Sequence, residues 1–417
     1  MDQKTIKDIP QKDLANKKVL VRVDFNVPLE KSGNTVTVSN DLRIKAALPT
    51  IKYLIESKAL VTLVSHLGRP KGVEDTLRMD PVAKKLSELL GKNIIKLNDC
   101  IGPEVESKIA SLSGGDVCLL ENVRFYKEET KNDTEFARKL AKPHNIFVND
   151  AFGTSHRAHA STAGVTAYLS PSLAGFLLEK EVDSLNKILQ NPIRPFTTIL
   201  GGSKVSSKIE VIKQIIPKVD TLLIGGAMAF TFVKFKGGEI GNSIFEAELL
   251  PVISEINKLK EDYAVALILP TDMLCAKSEC FETRFKKEDL KIFPIDKIPN
   301  GYTGLDIGPE SIKSFQKLIS QSKTLFWNGP MGMFENPLFL EGTKGVANAL
   351  VESTKNKCIT VVGGGDSVSA IEDLKIPFSS FTHVSTGGGA SIEFVEGKIL
   401  PGISCLDKKD SYSTAKK

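Results

Sequence analysis

Thr197-Thr198-Ile199-Leu200-Gly201-Gly202 decides how this chain is read: a short β-branched and aliphatic run that stops at glycine. The same shape returns at Leu222-Leu223-Ile224-Gly225-Gly226, Leu325-Phe326-Trp327-Asn328-Gly329-Pro330, Thr360-Val361-Val362-Gly363-Gly364-Gly365 and Val384-Ser385-Thr386-Gly387-Gly388-Gly389. A buried strand, then glycine, then a helical pattern reads as a parallel α/β sheet. Glycine at the carboxyl end of a strand lets backbone N–H groups approach a ligand, and that edge is where open α/β sheets bind. The second half of the chain therefore reads as a phosphate or nucleotide site.

Strands in the first half end in cations and amides instead: Val21-Arg22-Val23-Asp24-Phe25-Asn26, Ser65-His66-Leu67-Gly68-Arg69-Pro70, Leu120-Glu121-Asn122-Val123-Arg124 and Asn149-Asp150-Ala151-Phe152-Gly153. A glycine-rich edge and a cationic edge suggest two domains that hold two different ligands. The length of 417 residues also favours two domains over one core. Hydrophobic and charged contents of 41% and 25% are those of a soluble globular protein, and the net charge of +5 is too small to argue for nucleic acid. Any cationic function is local.

The six cysteines are scattered; Cys118 and Cys358 sit in apolar runs that suit buried, reduced thiols. Cys275 and Cys280 have neither a second pair nor a histidine at zinc spacing, which argues against a metal or disulfide there. The polar start, Met1-Asp2-Gln3-Lys4-Thr5-Ile6, has no signal-peptide core, and no apolar run approaches the ~18 residues that span a membrane. The cytosol is the expected compartment.

Strands are expected at 18–25, 59–65, 94–97, 116–120 and 145–149. Helices are expected from Ile44 to Ile55 after an Asp41 N-cap, from Asp80-Pro81 to Leu90, and after Asp133. Alternating strands and helices indicate βαβ units. From Phe176 to Leu189 the pattern is amphipathic and free of glycine, and Pro192 and Pro195 follow; it reads as an interdomain helix. A second strand series runs from 196 to about 386, with helices at 204–216 and 343–353. Pro401-Gly402-Ile403 breaks the pattern, and Lys408-Lys409-Asp410 reads as an exposed tail.

Five sequence features bear on chemistry. In Gly201-Gly202-Ser203-Lys204-Val205-Ser206-Ser207-Lys208 the lysines are four apart, so a helix would place both on one face near its N-terminus. Two ammonium groups there repel unless an anion lies between them; two solvated lysines is the alternative. The P-loop spacing is absent. Gly363-Gly364-Gly365-Asp366-Ser367 opens a helix whose free amides suit phosphate, and Asp366 suits Mg²⁺. Asp and Ser also cap helices, but a cap does not need three glycines. Neither glycine triplet fits Gly-x-Gly-x-x-Gly, since Val368 and Ile392 occupy the third glycine position. Arg22, Arg43, Arg69, Arg124 and Arg157 form a third group; any one alone is a surface ion pair, but several at one sheet edge indicate an anion site. His66, His156 and His159 suit hydrogen bonding to substrate better than zinc, and there is no nucleophile elbow. Last, Trp327-Asn328-Gly329-Pro330-Met331-Gly332-Met333-Phe334-Glu335 fits either a turn with core aromatics or ribose and base contacts through Asn328 and Glu335.

These stretches, with His156-Arg157-Ala158-His159, Gly201 to Lys208, Trp327 to Glu335, Gly363 to Ser367 and Gly387 to Ala390, resemble phosphoglycerate kinase, in that family's order from about residue 17 to 403. The resemblance implies two Rossmann-like α/β domains, each a parallel sheet flanked by helices, facing each other across a cleft that closes by hinge bending. The domains would be 1–175 for 3-phosphoglycerate or 1,3-bisphosphoglycerate and 191–400 for nucleotide, joined by the helix 176–190, with the tail 401–417 returning to the first domain. The implied reaction is reversible phosphoryl transfer from 1,3-bisphosphoglycerate to MgADP, giving 3-phosphoglycerate and MgATP.

By matching position, Asp24, Asn26, His66, Arg69, Arg124 and Arg157 would hold the glycerate and its phosphate, with Arg22 beside them and counted among the substrate-binding residues. Arg43, in Asn40-Asp41-Leu42-Arg43-Ile44-Lys45, matches the arginine assigned to transition-state charge; Lys204, Gly365 and Gly388 share the catalytic role. Nucleotide would be met by Gly202, Lys204, Lys208, Gly225, Gly226, Gly308, Asn328, Glu335, Gly364, Gly365, Asp366, Ser367 and Val368, and Mg²⁺ by Asp366. Ser207 stands where many members have aspartate, and Ser367 where many have threonine. A cytoplasmic monomer acting on small molecules, without nucleic-acid or membrane partners, is the expectation. The competing readings are a nicotinamide dehydrogenase, which lacks its glycine pattern, and a noncatalytic nucleotide-binding module, which leaves the arginines unexplained.

Overall fold

The strands are short, mostly apolar runs, and the inner ones are buried on both faces, as parallel sheets covered by helices require. In the first half these are β1 (Lys18–Arg22), β2 (Leu60–Val64), β3 (Ile95–Lys96), β4 (Val117–Leu119), β5 (Ile146–Asn149) and β6 (Ser172–Ala174). They pair in the order β3-β4-β2-β1-β5-β6, every pairing parallel. In the second half β7 (Phe196–Leu200), β8 (Thr221–Ile224), β9 (Ala266–Ile268), β10 (Thr324–Asn328), β11 (Ile359–Gly363) and β12 (His383–Val384) form a second parallel sheet. Its order is β9-β8-β7-β10-β11-β12. Counted from its own first strand this is 3-2-1-4-5-6, the order of the Rossmann sheet, which binds where the strand order reverses. That point lies between β7 and β10; its counterpart in the first sheet lies between β1 and β5.

The structure, a computed structural model, describes residues 1–33, 35–281 and 285–409. They divide into two units: unit 1 holds Met1–Asp183 and the described residues from Ile399, and unit 2 holds Ser184–Lys398. The division falls between Asp183 and Ser184, inside helix α4 (Phe176–Gln190), so one helix contributes residues to both units. The last described residues lie on unit 1. The Asn149 side chain donates to Gly402 O at 2.7 Å, and Asp407 N–H donates to Ser172 O at 2.9 Å. Lys408 and Lys409 are exposed; the tail expected from 410 onward lies outside the described residues.

The helices that frame unit 1 follow local rules. Helix α1 (Leu42–Glu56) carries Arg43 in its first turn. Asp41 occupies the N-cap position, yet its carboxylate makes no cap hydrogen bond; it pairs with Lys45 at 2.8 Å, and Asn40 Oδ1 accepts the Leu42 amide at 3.0 Å instead. Helix α2 (Asp80–Leu90) starts with Pro81 in its first turn and ends at Gly91 in the left-handed region (φ 62°), where glycine carries no Cβ penalty. Helix α3 (Thr134–Ala141) is capped by Asp133, which accepts the Phe136 amide at 2.9 Å.

In unit 2 the helix expected at 204–216 begins later, as α5 (Ile209–Ile215). Residues 203–208 form a turn because Glu246 holds it: Ser206 donates to that carboxylate from its amide (3.0 Å) and its hydroxyl (2.5 Å). Lys204 and Lys208 therefore sit on a turn, not on a helix face. Among the other helices of unit 2 are α6 (Glu341–Lys355), α7 (Gly365–Asp373) and α8 (Gly389–Val395), α7 and α8 opening directly after glycine turns.

Candidate functional site

Unit 1 gathers its cations at the carboxyl ends of β1 and β2. Leaving β1 at Arg22, the chain turns so that Asp24 receives a 2.6 Å ion pair from Arg43 at the start of α1. Asn26 Oδ1 accepts the Gly68 amide at 2.8 Å, and Arg124 donates to Gly68 O at 2.7 Å, so the loops after β1, β2 and β4 are tied together at Gly68. Arg69 and Arg157 are exposed, and Arg43 is about one-third exposed. Burial first, then the charges of Arg22 and Arg157, push the Arg124 guanidinium down to about 10. Burial, reinforced by Arg22, Arg124 and Arg43, holds the His66 imidazole well below its usual range, so it is neutral. Arg124 and His66, both held down by burial and by neighbouring guanidinium groups, mark a site short of negative charge, which an anion would supply.

Arg22, expected among the substrate-binding residues, is turned inward, with its side chain 0% exposed. It donates to Val23 O, Ser161 Oγ (2.9 Å) and His66 Nδ1 (3.1 Å). Strand alternation sends the last residue of β1 inward, where a charge persists only if hydrogen-bonded. Its counter-charge is the fully buried Glu129, which accepts from the Ser161 hydroxyl at 2.6 Å. Glu129 and Ser161 carry no motif signature and were not legible as partners.

Unit 2 holds a cavity of about 570 Å³ at its switch point, within the range of ligand pockets. Of the expected residues, Gly202, Gly226, Glu335 and Asp366 line it. Gly226 lies at φ 68°, and a Cβ there would stand 2.5 Å from Gly202 O, so the two glycine turns approach as backbone on backbone. Much of the remaining wall was missed by sequence reasoning: Met273, Thr303, Gly304 and Leu305 come from an antiparallel ribbon of Asp272–Lys277, Leu290–Pro294 and Tyr302–Ile307. A Cβ at Gly304 would stand 2.4 Å from Phe230 Cζ, and this glycine is the one close-approach signal a sequence reader had there.

Several residues expected at the nucleotide are buried and make internal hydrogen bonds. Asn328 is 1% exposed; it accepts from Lys208 Nζ and donates to Gly363 O at 2.8 Å, so it ties the lysine turn to the glycine turn. Ser367 is buried and accepts the Gly329 amide at 2.6 Å. Gly225 and Gly308 do not line the cavity, because Met331 fills the space at the first and the Asp272 carboxyl the space at the second. Lys208 is half-buried, which lowers its ammonium pKa against the opposing pull of Asp366 and Glu396. Lys204, Gly365 and Asp366 are exposed, Gly364, the N-cap of α7, is buried, and Val368 and Gly388 are half-buried.

Asp366 lies in the first turn of α7. Among the described residues no group of three or more His, Cys, Asp or Glu is placed to hold a metal. One exposed carboxylate beside a phosphate-sized glycine turn fits an ion that arrives with a nucleotide and keeps most of its waters.

A chain with a guanidinium-rich anion site on one parallel sheet and a nucleotide-sized cavity on another falls in the class of α/β phosphotransferases. The phosphoglycerate kinase family model matches residues 6–398. The chain is 54% identical over 411 residues to the phosphoglycerate kinase of Dictyoglomus turgidum, covering 98% of this chain and 100% of that one. To the chloroplastic phosphoglycerate kinase of Volvox carteri it is 51% identical over 408 residues, covering 98% and 87%. The solved structure of phosphoglycerate kinase from Coxiella burnetii superposes with a TM-score of 0.83 at 39% identity, covering 97% and 98%. This chain belongs to the phosphoglycerate kinase family.

Proposed function

We propose that the chain catalyses reversible phosphoryl transfer between 1,3-bisphosphoglycerate and MgADP, giving 3-phosphoglycerate and MgATP, with the sugar acid on unit 1 and the nucleotide on unit 2. The observation that carries this reading is the Arg124 guanidinium, held down by burial and by the charges of Arg22 and Arg157 beside a neutral His66, which a phosphorylated carboxylic acid would relieve.

In the ATP-consuming direction the nucleophile is a carboxylate, ionised at neutral pH, so no residue has to remove a proton. What remains is positioning and charge neutralisation. Arg124, Arg157, Arg69, Asn26 and the His66 ring would hold the glycerate and its phosphate. Arg43, paired with Asp24 at 2.6 Å, would turn part of its fork to the transferring group. Lys204, Gly365 and Gly388 would meet the same group from unit 2, and Lys208 the nucleotide phosphates. Asp366 would hold Mg²⁺, which would supply positive charge beside the nucleotide phosphates. Hinge closure about α4 would bring both sets to one phosphoryl group and exclude the water that would hydrolyse the acyl phosphate. We place the chain in the cytoplasm as a monomer; among the described residues no helix is long and apolar enough to cross a membrane.

An assay coupling 1,3-bisphosphoglycerate formation to nicotinamide oxidation tests the reaction. Turnover is expected with 3-phosphoglycerate plus MgATP, and little with unphosphorylated glycerate. No turnover with 3-phosphoglycerate, or equal turnover with glycerate, would overturn it.

A further inference from the structure

We propose that Arg22 is a positioning residue that fixes His66 as its Nε2–H tautomer, so that a neutral imidazole presents a permanent N–H donor to the anion on unit 1. The inference rests on reading unit 1 as the 3-phosphoglycerate site, but the tautomer itself is testable without any ligand.

A guanidinium has five N–H donors and no acceptor. Arg22 Nη2 lies 3.1 Å from His66 Nδ1, so Nδ1 is the acceptor and carries no hydrogen. In a neutral ring the proton is then on Nε2. An imidazolium would set N–H against N–H, and the surrounding cations, Arg22, Arg124 and Arg43, oppose it as well. Among the described residues Arg22 is the ring's one hydrogen-bond partner, which leaves Nε2–H for a ligand.

The geometry holds because Arg22 has a single orientation. The Ser161 amide and hydroxyl both donate to Glu129, at 2.9 and 2.6 Å, so the hydroxyl proton is committed and its lone pair faces Arg22 Nε at 2.9 Å. Val23 O and Val64 O take Nη1. Arg22 and Glu129 are both 0% exposed, so neither can exchange these partners for water. His159 Nδ1, 3.9 Å from Glu129, is too far to compete for the carboxylate by hydrogen bonding. The order is therefore fixed from end to end: Ser161 donates to Glu129, Arg22 donates to Ser161, and Arg22 donates to His66. The opposite tautomer would turn a lone pair toward an incoming carboxylate or phosphate and replace attraction by repulsion.

Nitrogen-15 spectra of the ligand-free full-length protein test this. His66 is expected to show one tautomer, with Nδ1 unprotonated and Nε2 protonated, unchanged from pH 6 to 8. Arg22→Met is expected to give a mixture of both tautomers. The KM for 3-phosphoglycerate should rise about tenfold, the loss of one charge-assisted hydrogen bond, while the KM for MgATP stays unchanged. A wild-type ring protonated on Nδ1, or a tautomer mixture, would overturn the proposal even if Arg22→Met fails to fold. So would a folded Arg22→Met protein that keeps a single Nε2–H ring and a normal KM. A ring with the expected tautomer that 3-phosphoglycerate does not perturb would support the Arg22 assignment and remove the substrate reading of unit 1.

Discussion

Replacing Asp150 with asparagine is expected to stabilise unit 1 at and above neutral pH. Asp150 follows β5 and is fully buried. Its Oδ1 accepts the amides of Leu177 (2.8 Å) and Leu178 (3.2 Å) in the first turn of α4, while Thr50 on α1 accepts the Phe176 amide at 2.9 Å. Oδ2 has no hydrogen-bond partner of normal geometry. Burial pushes the carboxyl from 3.8 to about 7, against the opposing pull of the Thr50 hydroxyl and the two amides. Between those values the native state holds a proton that the unfolded chain has released. Stability from this group is therefore full below about pH 4, falls as pH rises to about 7, and stays low above. About three units at 1.36 kcal/mol each is ~4 kcal/mol, the ceiling of the effect. Asparagine keeps the acceptor for both helix amides, carries no charge, and offers an N–H to the Thr50 hydroxyl. Urea unfolding followed by amide exchange in β5 isolates unit 1, because Trp327, the single tryptophan, reports on unit 2. The stability gained by Asp150→Asn should grow between pH 5 and 7 and level off above. A gain that does not change with pH, or a variant less stable than wild type at pH 8, would refute the reasoning.

Arg43→Ala is expected to lower kcat about a thousandfold, ~4 kcal/mol of transition-state stabilisation, while the Kd for MgADP moves less than about twofold; steady-state kinetics with near-normal turnover would remove Arg43 from the mechanism. Asn328→Ala leaves the half-buried Lys208 ammonium without its acceptor and frees Gly363 O, so the KM for MgATP should rise about tenfold with a lowered Tm; an unchanged KM would show that Lys208 needs no such support. Asp366→Asn should raise the Mg²⁺ concentration needed for half-maximal activity and leave nucleotide binding in EDTA unaltered, both readable by titration calorimetry and kinetics. Equal Mg²⁺ dependence in variant and wild type would remove Asp366 as the ligand.

The strand-to-glycine punctuation made unit 2 legible, because β-branched runs ending in glycine have few other uses; β7, β8, β10 and β11 all end at or beside the glycines that mark them. In unit 1 the strand positions were legible but their lengths were not: the run expected to 25 leaves the sheet after Arg22, where the Val23 amide turns to Val64 O and the Phe25 amide to the Ser65 hydroxyl. The cation cluster of unit 1 was legible as a group, but the contacts of its members were not. Nothing near Arg22 in sequence says it is buried, since its partners Ser161 and Glu129 stand more than a hundred residues away. Asn328 likewise reads as a surface amide until Lys208 and Gly363 are seen around it. Of the antiparallel ribbon behind the cavity only Tyr302–Ile307 runs into a glycine, Gly308, so Met273 and Leu305 gave little warning of their place.

The account turns on two anion sites, carried by different units, acting on one phosphoryl group. A crystal structure with 3-phosphoglycerate, MgADP and a planar metal fluoride in place of the transferring phosphoryl tests this most directly. Arg43 and Lys204 are expected to meet the same fluoride group from opposite units, each within hydrogen-bonding distance. A complex of that composition with either side chain turned to solvent would contradict it.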